Sequence, residues 1–114
     1  MTKQVIETNI YTQLIHLMTL SDTFHHYITL NKQKPAELIA HEITLCIQTN
    51  YHKAQILVET YPSFITQRYC DLLAQLILRP LVIIDTGNAN AIIKAWQKPI
   101  QDLLLYLTSP SFID

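Results

Sequence analysis

Apolar residues recur along this chain at steps of three and four, the period of one face of an α-helix. In the first stretch, Lys3 to Leu30, they fall at Ile6, Ile10, Leu14, Leu17, Phe24 and Ile28, with one interval of seven. Ser21 and Asp22 lie inside that interval and are expected to loosen the helix there. A second stretch opens at Pro35, placed at the first helical position, with Glu37 in the first turn; both residue types are favoured at a helix start. Its stripe runs through Leu38/Ile39, Ile43, Cys46/Ile47, Ala54, Leu57/Val58 and Tyr61. Gln48, Thr49, Asn50 and His52 interrupt it, predicting a strained or exposed segment.

Ser63, after Pro62, is a suitable N-cap for a third helix with a face of Ile65, Tyr69, Leu72/Leu73, Leu76 and Ile77. Pro80 deletes one backbone donor and either kinks or ends that helix, with Leu81 to Ile84 read as a last kinked turn or two. The fourth stretch is the most regular: Ile93, Trp96, Ile100, Leu103 and Leu107 step 3, 4, 3, 4, a heptad spacing suited to packing on a neighbouring helix. Pro99 lies off that stripe, toward solvent.

The punctuation between these stretches decides the fold class. Corners fall at Asn31–Pro35, Tyr61–Ser63 and Asp85–Asn88, and the chain holds a single glycine, Gly87. Tight hairpins lean on glycine for positive φ, so a meander of strands is hard to build from this sequence. Short connections between helices make sequential neighbours antiparallel. The expected architecture is one all-α domain spanning 1–114, an antiparallel up-down bundle of about four helices. Pairing of the fourth helix's heptad with a second copy is a further option, giving a homodimer.

Composition then changes the picture. The chain is 49% hydrophobic but only 15% charged, against roughly 25% charged for an ordinary soluble domain. Disorder needs the opposite balance and is excluded. Four slender helices leave some of that apolar excess uncovered, which points to another chain or a partner helix. A net charge of -1 with no basic cluster excludes the counterion-displacing face that nucleic acid requires. The start, MTKQVIETNI, has no apolar h-region, and the longest fully apolar runs are four residues, which predicts a cytoplasmic protein with no membrane span.

Candidate chemistry is sparse. His25 and His26 are adjacent, so on a helix they point about 100° apart and do not share an ion. Glu37 and His41 share a face, but no second matching pair accompanies them, and a carboxylate-bridged metal bundle needs two. Cys46 and Cys70 sit in apolar stretches without an identifiable base and read as reduced core residues. No glycine-rich loop or nucleophile elbow is present, and no histidine follows His52, which removes the Arg-x4-His arrangement of small helical ribonucleases. The expectation is a non-enzymatic chain without catalytic residues, cofactor or metal. Six tyrosines (Tyr11, Tyr27, Tyr51, Tyr61, Tyr69, Tyr106) and Trp96 supply the amphipathic surface that interfaces use.

Two segments carry a resemblance. Pro35-Ala36-Glu37-Leu38-Ile39-Ala40-His41-Glu42, and later Leu78-Arg79-Pro80-Leu81 followed by Ile83-Ile84-Asp85, are similar in order and spacing to flagellar export chaperones of the FliT type, across roughly residues 10–107. Departures are Pro35-Ala36 in place of the usual aromatic, Pro99 within the last long helix, and an end at Asp114 without the additional C-terminal helix such chaperones fold back on themselves. The resemblance implies a small bacterial helical bundle that binds the C-terminal segment of a filament-cap protein, and export-apparatus components. The expected function is therefore a protein-binding module, a cytoplasmic export chaperone or adaptor holding a partner's amphipathic helix in an apolar groove. The expected groove walls are the second and third helices, through Leu57, Tyr61, Tyr69, Leu72 and Leu76. The alternative is a phage- or plasmid-borne inhibitor or immunity-type protein that blocks a nuclease, toxin or defence enzyme, although the acidic residues here are scattered rather than clustered.

Overall fold

The structure is a computed structural model that describes residues 2–81 and 87–108. It contains four helices: α1 (Lys3–Thr29), α2 (Gln33–Thr60), α3 (Phe64–Leu78) and α4 (Ala89–Thr108), and no strand occurs among the described residues. α1 packs on α2 and α4, while α3 packs on α2 and more lightly on α4, closing a ring of four. Neighbours run antiparallel: Gln13 meets Asn50, Ile43 and Ile47 meet Leu76, and Phe64 meets Tyr106. The all-α up-down bundle expected from the periodicity is what forms.

Each helix end has a local cause. Thr2 caps α1 by accepting the Val5 amide at 3.2 Å. At the other end Asn31 adopts φ 58, the left-handed conformation. The Asn31 amide then reaches the Ile28 carbonyl and the Lys32 amide reaches the Tyr27 carbonyl, closing a Schellman turn. Asparagine here does the work glycine usually does. α2 begins at Gln33, so Pro35 stands third in the helix rather than first, still within the turn whose amides lack helical acceptors. Ser63 caps α3 as expected and completes a capping box with Thr66, while the Thr66 hydroxyl also donates to the Tyr61 carbonyl at 3.0 Å. Pro80 ends α3 rather than kinking it, because the preceding Arg79 is forced out of the helical region (φ -130, ψ 64). Of the apolar run after it, Leu81 is buried and non-helical, and 82–84 lie outside the described residues. Asp85 and Thr86 of the last corner lie outside them as well; Gly87 and Asn88 form a turn leading into α4. Pro99 does not interrupt α4, which continues through it, and its ring is half-buried on the helix flank.

The core is one continuous cluster. α1 contributes Ile6, Ile10, Leu14, Leu17, Leu20, Phe24 and Ile28; α3 contributes Leu72, Leu73 and Leu76; α4 contributes Ile93, Trp96, Ile100 and Leu103. Four of the five heptad positions of α4, Ile93, Trp96, Ile100 and Leu103, are thus buried inside its own bundle and Leu107 is partly buried, so this stripe is largely covered within one chain.

Of the two polar interruptions, Gln48, Thr49 and His52 of α2 are exposed as expected, whereas Ser21 of α1 and Asn50 of α2 are built into the packing. Ser21 is fully buried and Gln97 of α4 donates to it. Asn50 is buried against α1, and both helices run unbroken through these positions. On the outer face of α1, Thr8, Thr12, Thr19, Thr23 and Thr29 each donate their hydroxyl to the carbonyl four residues back, at 2.8–3.0 Å. Their hydroxyls turn to the backbone and leave methyl groups outward, so the surface stays apolar even where the sequence is nominally polar.

Candidate partner-binding furrow

A cleft lies between the first half of α1 and the second half of α2. Ile6 and Ile10 descend from α1 at a four-residue step, and Ala54 and Leu57 face them from α2. Tyr69 of α3 closes the bottom. Ala54 contributes to the opening: its methyl stands where Ile43 and Ile47, earlier on the same stripe, carry larger side chains, and it leaves space opposite Ile6 and Ile10. The resulting cleft is about 310 Å³. Asn9, Gln13, Asn50 and Lys53 form its rim. The Asn50 amide donates to Gln13 Oε1 and to Cys46 Sγ, both at 3.3 Å, which holds the rim in place across the two helices.

A second hollow of about 280 Å³ continues toward the end of the bundle, lined by Lys3, Ile6, Tyr61, Pro62, Ser63 and Ile65. Ile6 borders both hollows, so the two adjoin at that side chain and together make up the furrow. The α1 wall from Lys3 to Gln13 is eleven residues, about 15 Å of helix over ten rises of 1.5 Å.

The five residues expected to wall a groove divide into two groups. Leu57 and Tyr61 are half-buried and border this furrow, one in each hollow. Tyr69 is 4% exposed and forms the floor. Leu72 and Leu76, 5% and 2% exposed, point into the bundle core, and Leu76 borders only a hollow of about 30 Å³ beside Pro80 and Leu81, room for little more than a water. The furrow therefore opens between α1 and α2 rather than between α2 and α3, because the α2–α3 seam is filled by Leu and Ile side chains from both helices. Ile6, Ile10, Asn50, Lys53 and Ala54 did not figure in the sequence-based groove. The signal for them was present: Ile43, Ile47, Asn50 and Ala54 step 4, 3, 4, placing one amide and one small residue on an otherwise bulky stripe.

The ionisable groups nearby are quiet. Burial pushes the Cys46 thiol up, opposed by the Asn50 hydrogen bond, and burial likewise raises Cys70, with the Asp71 carboxylate adding to it. Burial, helped by Cys46, pushes the Tyr69 phenol well above its ordinary range. Thiols held protonated are poor nucleophiles. Among the described residues no group of three His, Cys, Asp or Glu side chains is placed to hold a metal ion, and no helix is long and apolar enough to cross a membrane.

No family model, curated protein or solved structure matches this chain.

Proposed function

We propose that this chain is a non-enzymatic protein-binding module that receives the apolar face of a partner's amphipathic helix, as a small cytoplasmic export chaperone or adaptor would. The observation that supports this reading is the pair of adjoining hollows between Gln13 and Tyr61, lined by apolar Ile6, Ile10, Leu57 and Tyr69 with an amide rim. About 15 Å of helix is three turns, which accommodates two or three anchors at i, i+3 or i+4, and i+7. The amides of Asn9 and Gln13 suit the polar flanks of such a helix, and the low charge of the chain leaves affinity to buried apolar area.

Affinity capture from the source cells, with the wild type beside an Ala54→Leu variant, tests the reading. Leucine at 54 fills the cleft from its own helix. A helical partner retained by the wild type and lost by Ala54→Leu, with helicity unchanged, supports the furrow as the binding site. A partner captured equally by both places recognition elsewhere.

A further inference from the structure

The outward face of α2 carries a seam that no other helix covers. Leu38, Leu45 and Ile56 are 71%, 50% and 54% exposed. Leu38, Leu45, His52 and Glu59 repeat every seven residues, and Glu42, Thr49 and Ile56 repeat every seven in the intervening positions. Together they form the alternating four-and-three stripe of a helix that packs against another helix, and all seven are exposed. This seam is on the far side of α2 from the bundle core, and separate from the furrow.

We propose that the seam pairs with the same seam of a second copy, antiparallel, about a two-fold axis at the level of Ile47. The charge pattern selects this occupant and this direction. When residues whose numbers sum to 94 face each other, Ile56 meets Leu38 of the second copy, Thr49 meets Leu45, and Glu42 meets His52. At the ends Glu59 faces Pro35 of the second copy, with Lys34 one position along the helix from it. Each of these pairings occurs twice, as an isologous two-fold interface requires. A parallel arrangement stacks Glu42 on Glu42 and Glu59 on Glu59, placing like charges in a desolvated seam. The single register that buries all three large apolar side chains thus also brings acid to base.

Analytical ultracentrifugation of the full chain over a concentration series is the test. The expected species has twice the 13.2 kDa of one chain. Leu45→Arg is expected to shift the mass to one chain with helicity unchanged, since Leu45 is half exposed and lies outside the buried core. Glu42→Lys is expected to weaken the dimer about tenfold or more, and Glu42→Lys combined with His52→Glu to restore it. Ala54→Leu, which blocks the furrow, stays dimeric, so loss of this proposal and loss of the furrow reading are told apart. A wild-type chain that is monomeric at every concentration overturns the proposal. So does a dimer insensitive to Leu45→Arg and Glu42→Lys, or one broken instead by Leu105→Arg on the exposed face of α4.

Discussion

Gln97 Nε2 on α4 lies 2.7 Å from Ser21 Oγ and 2.7 Å from Asp22 Oδ1 on α1, so one amide group ties two consecutive residues of the opposite helix. Ser21 Oγ remains fully satisfied, because it donates in turn to the Met18 carbonyl at 2.8 Å. This clasp fixes the register of α4 on α1 in a way that interchangeable Leu and Ile contacts do not. Gln97→Leu is expected to cost about 1–2 kcal/mol in urea unfolding, the usual loss when one partner of a buried hydrogen bond is removed. Gln97→Glu should cost more, since it sets a carboxylate against Asp22. Equal stability of the two variants would show that the amide's hydrogen bonds carry no weight.

The cap of α3 gives a second measurement. Ser63→Ala is expected to lower stability by about 1 kcal/mol. Thr66→Val should lower it further, because the Thr66 hydroxyl serves the Ser63 amide and the Tyr61 carbonyl together. Chemical denaturation of the two variants beside the wild type ranks them.

At the α1–α2 corner, Asn31→Gly is expected to fold at least as stably as the wild type, because glycine takes positive φ without steric cost. Asn31→Val should lose about 1–2 kcal/mol, the cost of a branched side chain in the left-handed region. A thermal melt in which the valine variant matched the glycine variant would contradict the Schellman turn.

Core and surface leucines should behave differently. Leu14 is completely buried among α1's neighbours, and Leu14→Ala is expected to cost about 2–5 kcal/mol through lost transfer energy and the cavity left behind. Leu78, at the exposed end of α3, should tolerate alanine within about 0.5 kcal/mol. Urea midpoints for the pair check the assignment.

The buried phenol and thiols predict an alkaline limit. Tyr69, Cys46 and Cys70 all have raised pKa values, so the folded chain holds these protons more tightly than the unfolded chain. Stability from this source is present in full below the ordinary thiol and phenol values and is lost as pH climbs beyond them toward the folded values. Stability should therefore decline above about pH 9–10, and Tyr69→Phe should flatten the upper part of that decline. Midpoints of urea unfolding measured across that pH range provide the comparison.

Much of the bundle was legible along the chain. The stripes at Ile6–Ile28 and Ile93–Leu107 name the buried faces of α1 and α4 correctly, because a helix repeats every 3.6 residues whatever it packs against. Ser63 and Pro80 mark the ends of α3, because capping and the missing proline donor act within one turn. Asn31 was legible only as part of a corner, since nothing local distinguishes an asparagine in the left-handed region from one on a helix surface.

What tertiary structure alone decided is which apolar face meets which. Tyr69, Leu72 and Leu76 lie on a regular stripe, and a stripe reads the same whether a neighbouring helix or a partner chain covers it; here α2 and the rest of the core cover it. Ser21 reads as a loosening of its helix and Asn50 as part of a strained or exposed segment until Gln97 and Gln13, 76 and 37 residues away, arrive to satisfy them. The furrow opens where Ala54 is opposite Ile6 and Ile10, a juxtaposition of two helices that no spacing within either one contains. Periodicity is a property of one helix and is written in its sequence. Vacancy is a property of two helices and appears only when they pack.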